Sequence, residues 1–151
     1  MKEKEKLQNE IRIKLPSLSV NESVARSVVA AFCAQLDPST TELADIKCVV
    51  SEAVTNCIVH GYRDTVGIIY ITVALYKSGL IRIEIKDKGV GIEDVKRARE
   101  PLFTTDAQSE RSGMGFTVME SFTDRIRVSS KPHEGTKVVM YKRLTGRGDR
   151  S

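Results

Sequence analysis

The chain has 151 residues, 40% apolar and 29% charged, a balance that suits one globular domain and excludes a disordered chain. The formal charge is +4, with basic residues gathered at the tips (Lys2, Lys4 and Lys6; Lys142, Arg143, Arg147 and Arg150). Aromatics are only 5%, so no basic–aromatic stacking pattern forms and no direct nucleic acid partner is expected. No apolar run approaches the roughly 20 residues of a membrane-spanning helix, and the start, MKEKEKLQNE, has no apolar signal core, so the expectation is a cytoplasmic protein with no membrane partner.

Residues 1–10 and the final TGRGDRS are expected to fray. Ile11, Ile13 and Leu15 alternate with Arg12 and Lys14, which predicts a strand up to Pro16. A helix follows, capped by Ser19 or Asn21, with an apolar face of Val24, Val28, Ala31, Phe32 and Leu36, and it ends at Asp37-Pro38. Ser39 to Thr41 offer new caps. A second helix is predicted over 42–60, striped by Leu43, Ile46, Val49, Val50, Ala53, Val54, Cys57 and Ile58 and stopped by Gly61. Strands over 67–76 and 80–86 flank a Ser78-Gly79 turn. A glycine-rich break at 87–91, a short helix at 92–99, a long aperiodic loop at 101–112, a helix at 114–122 and strands at 125–130 and 136–143 complete the chain. This order predicts a two-layer α/β sandwich, with helices on one face of a mixed sheet. Cys33, Cys48 and Cys57 are odd in number, lack Cys-x-x-Cys spacing and sit in helix-periodic apolar surroundings, so they read as small buried thiols.

Four constellations carry chemistry. Glu52, Asn56 and His60 recur at i, i+4, i+8 and fall on the polar face of the second helix. Asn56 offers a neutral oxygen suited to one position on Mg²⁺, and Glu52, one turn away, can accept a proton. The same spacing also describes an ordinary solvated face. Asp87-Lys88-Gly89-Val90-Gly91 follows a strand directly; its glycines permit close ligand approach and Asp87 offers an acceptor for an exocyclic amine, or the motif is simply a tight turn. Ser112-Gly113-Met114-Gly115-Phe116 opens a helix and can present amides to phosphate, with Arg111 beside it, although the Walker pattern GxxxxGK[ST] is absent; a plain loop is the alternative. Gly135-Thr136 opens a strand and says little alone.

In order, these four segments resemble the N, G1, G2 and G3 boxes of the Bergerat ATP-binding superfamily, which includes gyrase-type ATPases and histidine kinases. NESVAR at 21–26, AQLDP at 34–38, VVSEAVTN at 49–56, PLFTT at 101–105 and ERSGMGF at 110–116 extend the likeness over about residues 8–143 to the anti-sigma-F factor family. Cys33 and Cys57 depart from the small or apolar residues expected there.

The resemblance implies a single kinase domain that uses Mg²⁺ and ATP to phosphorylate a serine of an anti-anti-sigma factor, releasing ADP. It also implies a homodimer that sequesters a sporulation sigma factor when nucleotide is bound. Carried over, Glu52 is the general base and Asn56 the Mg²⁺ ligand. Asp87 accepts from the adenine amine, with Gly89, Gly91 and Thr136 beside it. Thr104, Thr105, Arg111 and Ser112, with the amides of Gly113, Met114, Gly115 and Phe116, form a lid over the phosphates. Arg26 matches a partner-contacting arginine. Three other readings stay open: an ATP-gated sequestering module without transfer, a stress-response anti-sigma kinase, and a gyrase-type ATPase.

Overall fold

The computed structural model describes residues 5–92, 99 and 115–145. Strand β1 (Leu7–Pro16) leads to helix α1 (Val20–Cys33), a 3₁₀ turn (Ala34–Leu36) and helix α2 (Thr40–Asn56). A π turn (Cys57–Gly61) prolongs α2. Strands β2 (Ile68–Tyr76) and β3 (Leu80–Asp87) follow, and helix α3 (Gly115–Ser121) precedes strands β4 (Arg125–Lys131) and β5 (Gly135–Arg143).

The strands form one sheet in the order β1-β2-β3-β5-β4. Every pairing is antiparallel, so the sheet is not mixed as expected. The crossover from β3 through α3 does deliver β4 in the same direction as β3. However, the β4–β5 hairpin folds β5 back between them, and a parallel contact never forms. The first strand starts earlier than the alternation suggested: Leu7 to Glu10, expected to fray, pair with Ala74 to Tyr76.

One face of the sheet is apolar and covered. Ile69, Ile71, Val73 and Leu75 of β2, Ile81, Ile83 and Ile85 of β3, and Val138 and Met140 of β5 are buried beneath α1, α2 and Met119 of α3. Full burial of each such side chain contributes on the order of 1.5–3 kcal/mol, which makes this layer the main source of stability. The other face carries the alternate, polar residues (Thr72, Arg82, Glu84, Lys86, Lys137), the pattern of an antiparallel sheet with one covered side.

Helix α2 buries the stripe its periodicity predicted: Ile46, Val49, Val50, Ala53 and Val54, continued by Cys57. Helix α1 does so only in part: Leu36, just beyond it, is buried and Phe32 packs against the core, but Val24 is 40% exposed and the helix buries Ala25, Val29, Ala30 and Cys33 instead. Apolar residues stand on more than one side of the segment, so periodicity alone offered two stripes. The stripe of small residues wins because alanine and cysteine let α1 approach α2 closely. Neither predicted α1 cap operates: Ser19 makes no side-chain cap bond, and Asn21 Nδ2 donates to the Pro16 carbonyl at 2.9 Å. All three cysteines are free thiols, with Cys33 and Cys57 buried and Cys48 partly so. No helix among the described residues is long and apolar enough to cross a membrane.

The start of α2 is fixed by a reciprocal cap. Glu42 N donates to Ser39 Oγ at 3.0 Å, and Ser39 N donates to Glu42 Oε1 at 2.9 Å. Glu42 Oε2 also accepts from Thr145 N at 2.8 Å, tying the chain after β5 to this helix end. Ser39→Ala should therefore lower unfolding free energy by about 1 kcal/mol, read as a reduced urea midpoint with an unchanged slope.

Candidate functional site

The functional candidates converge where α2, the end of β3 and the start of α3 meet. Glu52 and Asn56 lie on successive turns of α2 and are both partly exposed. Gly115 faces the two together: a methyl group built on it would stand 3.4 Å from Glu52 Oε2 and 3.4 Å from Asn56 Nδ2. The polar face of α2 thus borders Gly115 at the start of α3, and the next residue, Phe116, is buried in the core. After Asn56 the helix widens into a π turn, closed by Tyr62 N donating to the Cys57 carbonyl at 2.8 Å, and the partly exposed His60 lies within that turn.

Asp87 ends β3 and is 4% exposed. Its Oδ1 accepts from Gly89 N at 2.9 Å, and the carboxylate also accepts from the Thr136 amide and the Cys57 thiol. Burial pushes its pKa above the ordinary carboxylate value, and those three donors pull against it. The Cys57 thiol is pushed well up, first by its own burial and then by the Asp87 charge, so it remains a proton donor. Asp87 is accordingly a rigid acceptor held at a strand end and surrounded by donors.

The loop after Asp87 is clamped from both sides. Gly89 passes so close to α2's extension that a methyl group there would lie 2.1 Å from the Gly61 carbonyl, and Val90 N donates to that carbonyl at 3.0 Å. Gly91 has φ +77°, and a methyl group on it would meet the Lys131 carbonyl at 2.0 Å. His133 N donates to the Val90 carbonyl at 2.6 Å. At both glycines, backbone of a neighbouring element takes the space a side chain would need, so the glycines serve close packing of two elements.

Three contributors were missed in the sequence. Tyr62 OH donates to the Ile68 carbonyl at 2.6 Å and accepts from Lys88 N at 2.7 Å, pinning the loop to the start of β2. Ser130 Oγ accepts from Ile92 N at 2.7 Å and lies 2.8 Å from Thr136 Oγ1, so it fixes the threonine beside Asp87. The Cys57–Asp87 contact is the third. Tyr62 and Cys57 stand inside the GY and NC dipeptides of the first motif, but no spacing rule marks either as a loop partner. Ser130 carries no local signal.

Arg26 lies at the α1–α2 seam, where Nη1 donates to Glu22 Oε2 at 2.7 Å and to Ser51 Oγ at 3.2 Å. Its side chain keeps 38% exposure, and the exposed part stays available on that face. Thr104, Thr105, Arg111, Ser112, Gly113 and Met114 lie outside the described residues, as do the 101–112 loop and most of the short helix placed at 92–99.

The family described as Histidine kinase-like ATPase domain matches residues 15–142. Among curated relatives, the Anti-sigma F factor of Geobacillus sp. (strain WCH70) is 53% identical over 140 residues, covering 92% of this chain and 95% of that protein. The Anti-sigma F factor of Caldanaerobacter subterraneus subsp. tengcongensis is 56% identical over 134 residues, covering 89% and 93%. Among solved structures, the RsbU and RsbW domains of a Mycobacterium tuberculosis protein superpose with a TM-score of 0.65 at 20% identity, over 91% of this chain and 33% of that one. The histidine kinase domain of a blue-light activated kinase from Erythrobacter litoralis gives 0.54 at 15% identity, over 82% and 61%. At these identities the structural likenesses concern the fold.

Two outcomes test the site. Tyr62→Phe leaves the Lys88 amide and the Ile68 carbonyl without their shared partner, so it should cost about 1–3 kcal/mol in urea unfolding and weaken nucleotide binding in calorimetry. The second concerns pH. The unfolded Asp87 carboxyl titrates near 3.8 and the folded one higher, so its contribution favours folding below the unfolded value. That contribution is lost as pH rises through the folded value. Asp87→Ala should therefore be less destabilising, relative to wild type, at pH 7 than at pH 3.5 in paired urea titrations.

Proposed function

Because this chain belongs to the histidine-kinase-like ATPase domains and, within them, to the anti-sigma F factors, we propose that it is a cytoplasmic protein-serine kinase and sigma-factor antagonist. It uses Mg²⁺ and ATP to phosphorylate an anti-anti-sigma factor and, as a nucleotide-bound homodimer, it holds a sporulation sigma factor. Membership carries the coarser statements: it is a nucleotide-binding, kinase-like anti-sigma protein. The serine, the metal, the dimer and the partners are our reading.

The observation that carries this reading is the convergence of Glu52 and Asn56 on Gly115. It sets a carboxylate and a neutral amide side by side against Gly115 at the start of α3. Asp87, with its fixed acceptor, marks the far end of the same site, and Thr136 lies beside it. The adenine amine is a suitable donor for Asp87, because the protein already supplies the other donors to that carboxylate.

The donor set fits Mg²⁺. This ion prefers phosphate and water ligands supplemented by one or two protein oxygens, and Asn56 Oδ1 is such an oxygen. When bound, the ion neutralises charge that builds on the phosphates. The chain's residues do the rest. Glu52 takes the proton from the substrate serine hydroxyl. A bond then forms from that oxygen to the γ-phosphorus, the bond to the β–γ bridging oxygen breaks, and ADP leaves. Arg111, Thr104, Thr105 and the amides of 112–116 are assigned to the phosphates, and the partly exposed Arg26 to the sigma factor.

Transfer from γ-labelled ATP to a cognate anti-anti-sigma protein tests the proposal. Glu52→Ala should keep ATP affinity near that of wild type and reduce transfer by roughly 10²–10⁴-fold, the usual worth of a positioned base. Loss of binding together with transfer would remove Glu52 from the base role. Tight ATP binding with no label from wild type would leave an ATP-gated sequestering module.

A further inference from the structure

The face of the sheet turned away from the helices has an uneven charge pattern. Cross-strand register defines its rows. One row runs Lys14, Tyr70, Lys86, Lys137 and Ser129 across all five strands. The next runs Arg12, Thr72, Glu84, Val139 and Arg127, and the third Glu10, Ala74, Arg82, Tyr141 and Arg125. The second and third rows contain acids, and these are used: Arg12 pairs with Glu10 at 3.3 Å and Arg82 with Glu84 at 3.1 Å. The first row has lysines and no acid.

That row also gathers a lysine from outside the strands. Lys14, Lys86 and Lys88 place their Nζ atoms 5.7, 5.9 and 4.9 Å from the centroid of the Tyr70 ring. Cation–π attraction to one ring offsets part of their mutual repulsion. Lys86 and Lys137 stand directly opposite each other, an arrangement that destabilises a sheet when both are charged. Among the described residues, none of Lys14, Lys86, Lys88 or Lys137 makes an ion pair. Beside the row lies an open concavity of about 470 Å³, walled by Lys86, Ser129, Lys131 and Lys137, with two acids in its lining, Glu134 and the buried Asp87. It reaches Asp87 and Thr136 at the strand ends, so it backs onto the nucleotide site.

We propose that this row is a docking surface for an acidic polypeptide segment, whose carboxylates lie along Lys14, Lys86, Lys88 and Lys137 and end in the concavity. Charge complementarity argues for that occupant. A single-stranded nucleic acid would need a free aromatic face for stacking, and the only aromatic in the row is already taken by ammonium groups. A second copy of this chain would bring the same lysines. The surface is distinct from α1 and Arg26, which lie on the helical side. Lys88 belongs to the clamped Asp87–Gly91 loop, so a segment docked here touches the back of the nucleotide site.

Fluorescence anisotropy of a labelled oligo-glutamate peptide, with the full chain at low and high salt, tests this. Wild type should bind at low salt and release the peptide at high salt. Lys86→Glu/Lys137→Glu should weaken binding at least about tenfold while ATP affinity, measured in parallel, stays unchanged. No binding by wild type, or equal binding by the variant, would overturn the proposal. So would tighter, variant-sensitive binding of labelled oligothymidylate, which would make the surface a nucleic acid site. A change of oligomeric mass in the variant would assign the face to self-association instead.

Discussion

A carboxylate buried at the end of a central strand is the constraint around which the site is arranged. Asp87 sits in a region where the charged form is disfavoured, and burial raises its pKa. Such a group persists only if donors surround it, and they come from three places: the Gly89 amide, the Thr136 amide and the Cys57 thiol. Each donor belongs to a different element. Keeping Asp87 satisfied therefore fixes the loop after β3, the start of β5 and the end of α2 relative to one another.

Helix α2 carries two jobs on opposite faces. Its apolar stripe, from Ile46 to Cys57, is buried against the isoleucine-rich sheet. Its polar face presents Glu52 and Asn56 to Gly115. The capping box at Ser39 and Glu42 sets where the helix begins, and the π turn at its far end lowers Gly61 and Tyr62 onto the Asp87 loop. Because the core holds this helix rigidly, the separation between the base candidate and the acceptor at Asp87 is set by packing.

The two faces of the sheet differ for the same reason. Alternation along an antiparallel strand sends every second residue to the uncovered side. On that side the acids are consumed by neighbouring arginines in two rows, leaving a third row of lysines gathered round Tyr70. Net charge and aromatic content averaged this feature away. Lys14, Tyr70, Lys86 and Lys137 are distant in sequence and become neighbours only through strand register. The same averaging hid the roles of Tyr62 and Ser130, whose partners lie 26 and 38 residues away.

By itself the sequence determined the order of the described elements, the buried stripe of α2, the alternation of β2 and β3, and the motif residues Glu52, Asn56, Asp87 and Gly115. These depend on helix and strand periods and on glycines at fixed offsets, all of which are local. Only the tertiary structure decided which stripe of α1 is buried, because apolar residues on more than one side of the helix leave that choice to the shape of its neighbour. It also decided that the sheet is wholly antiparallel, since the direction of β4 matters less than the insertion of β5 beside β3. And it placed Arg26 in a seam with Ser51 and drew three lysines, Lys14, Lys86 and Lys88, over the Tyr70 ring. In each case the deciding contact joins residues far apart in the chain, where spacing carries no information and packing alone selects the outcome.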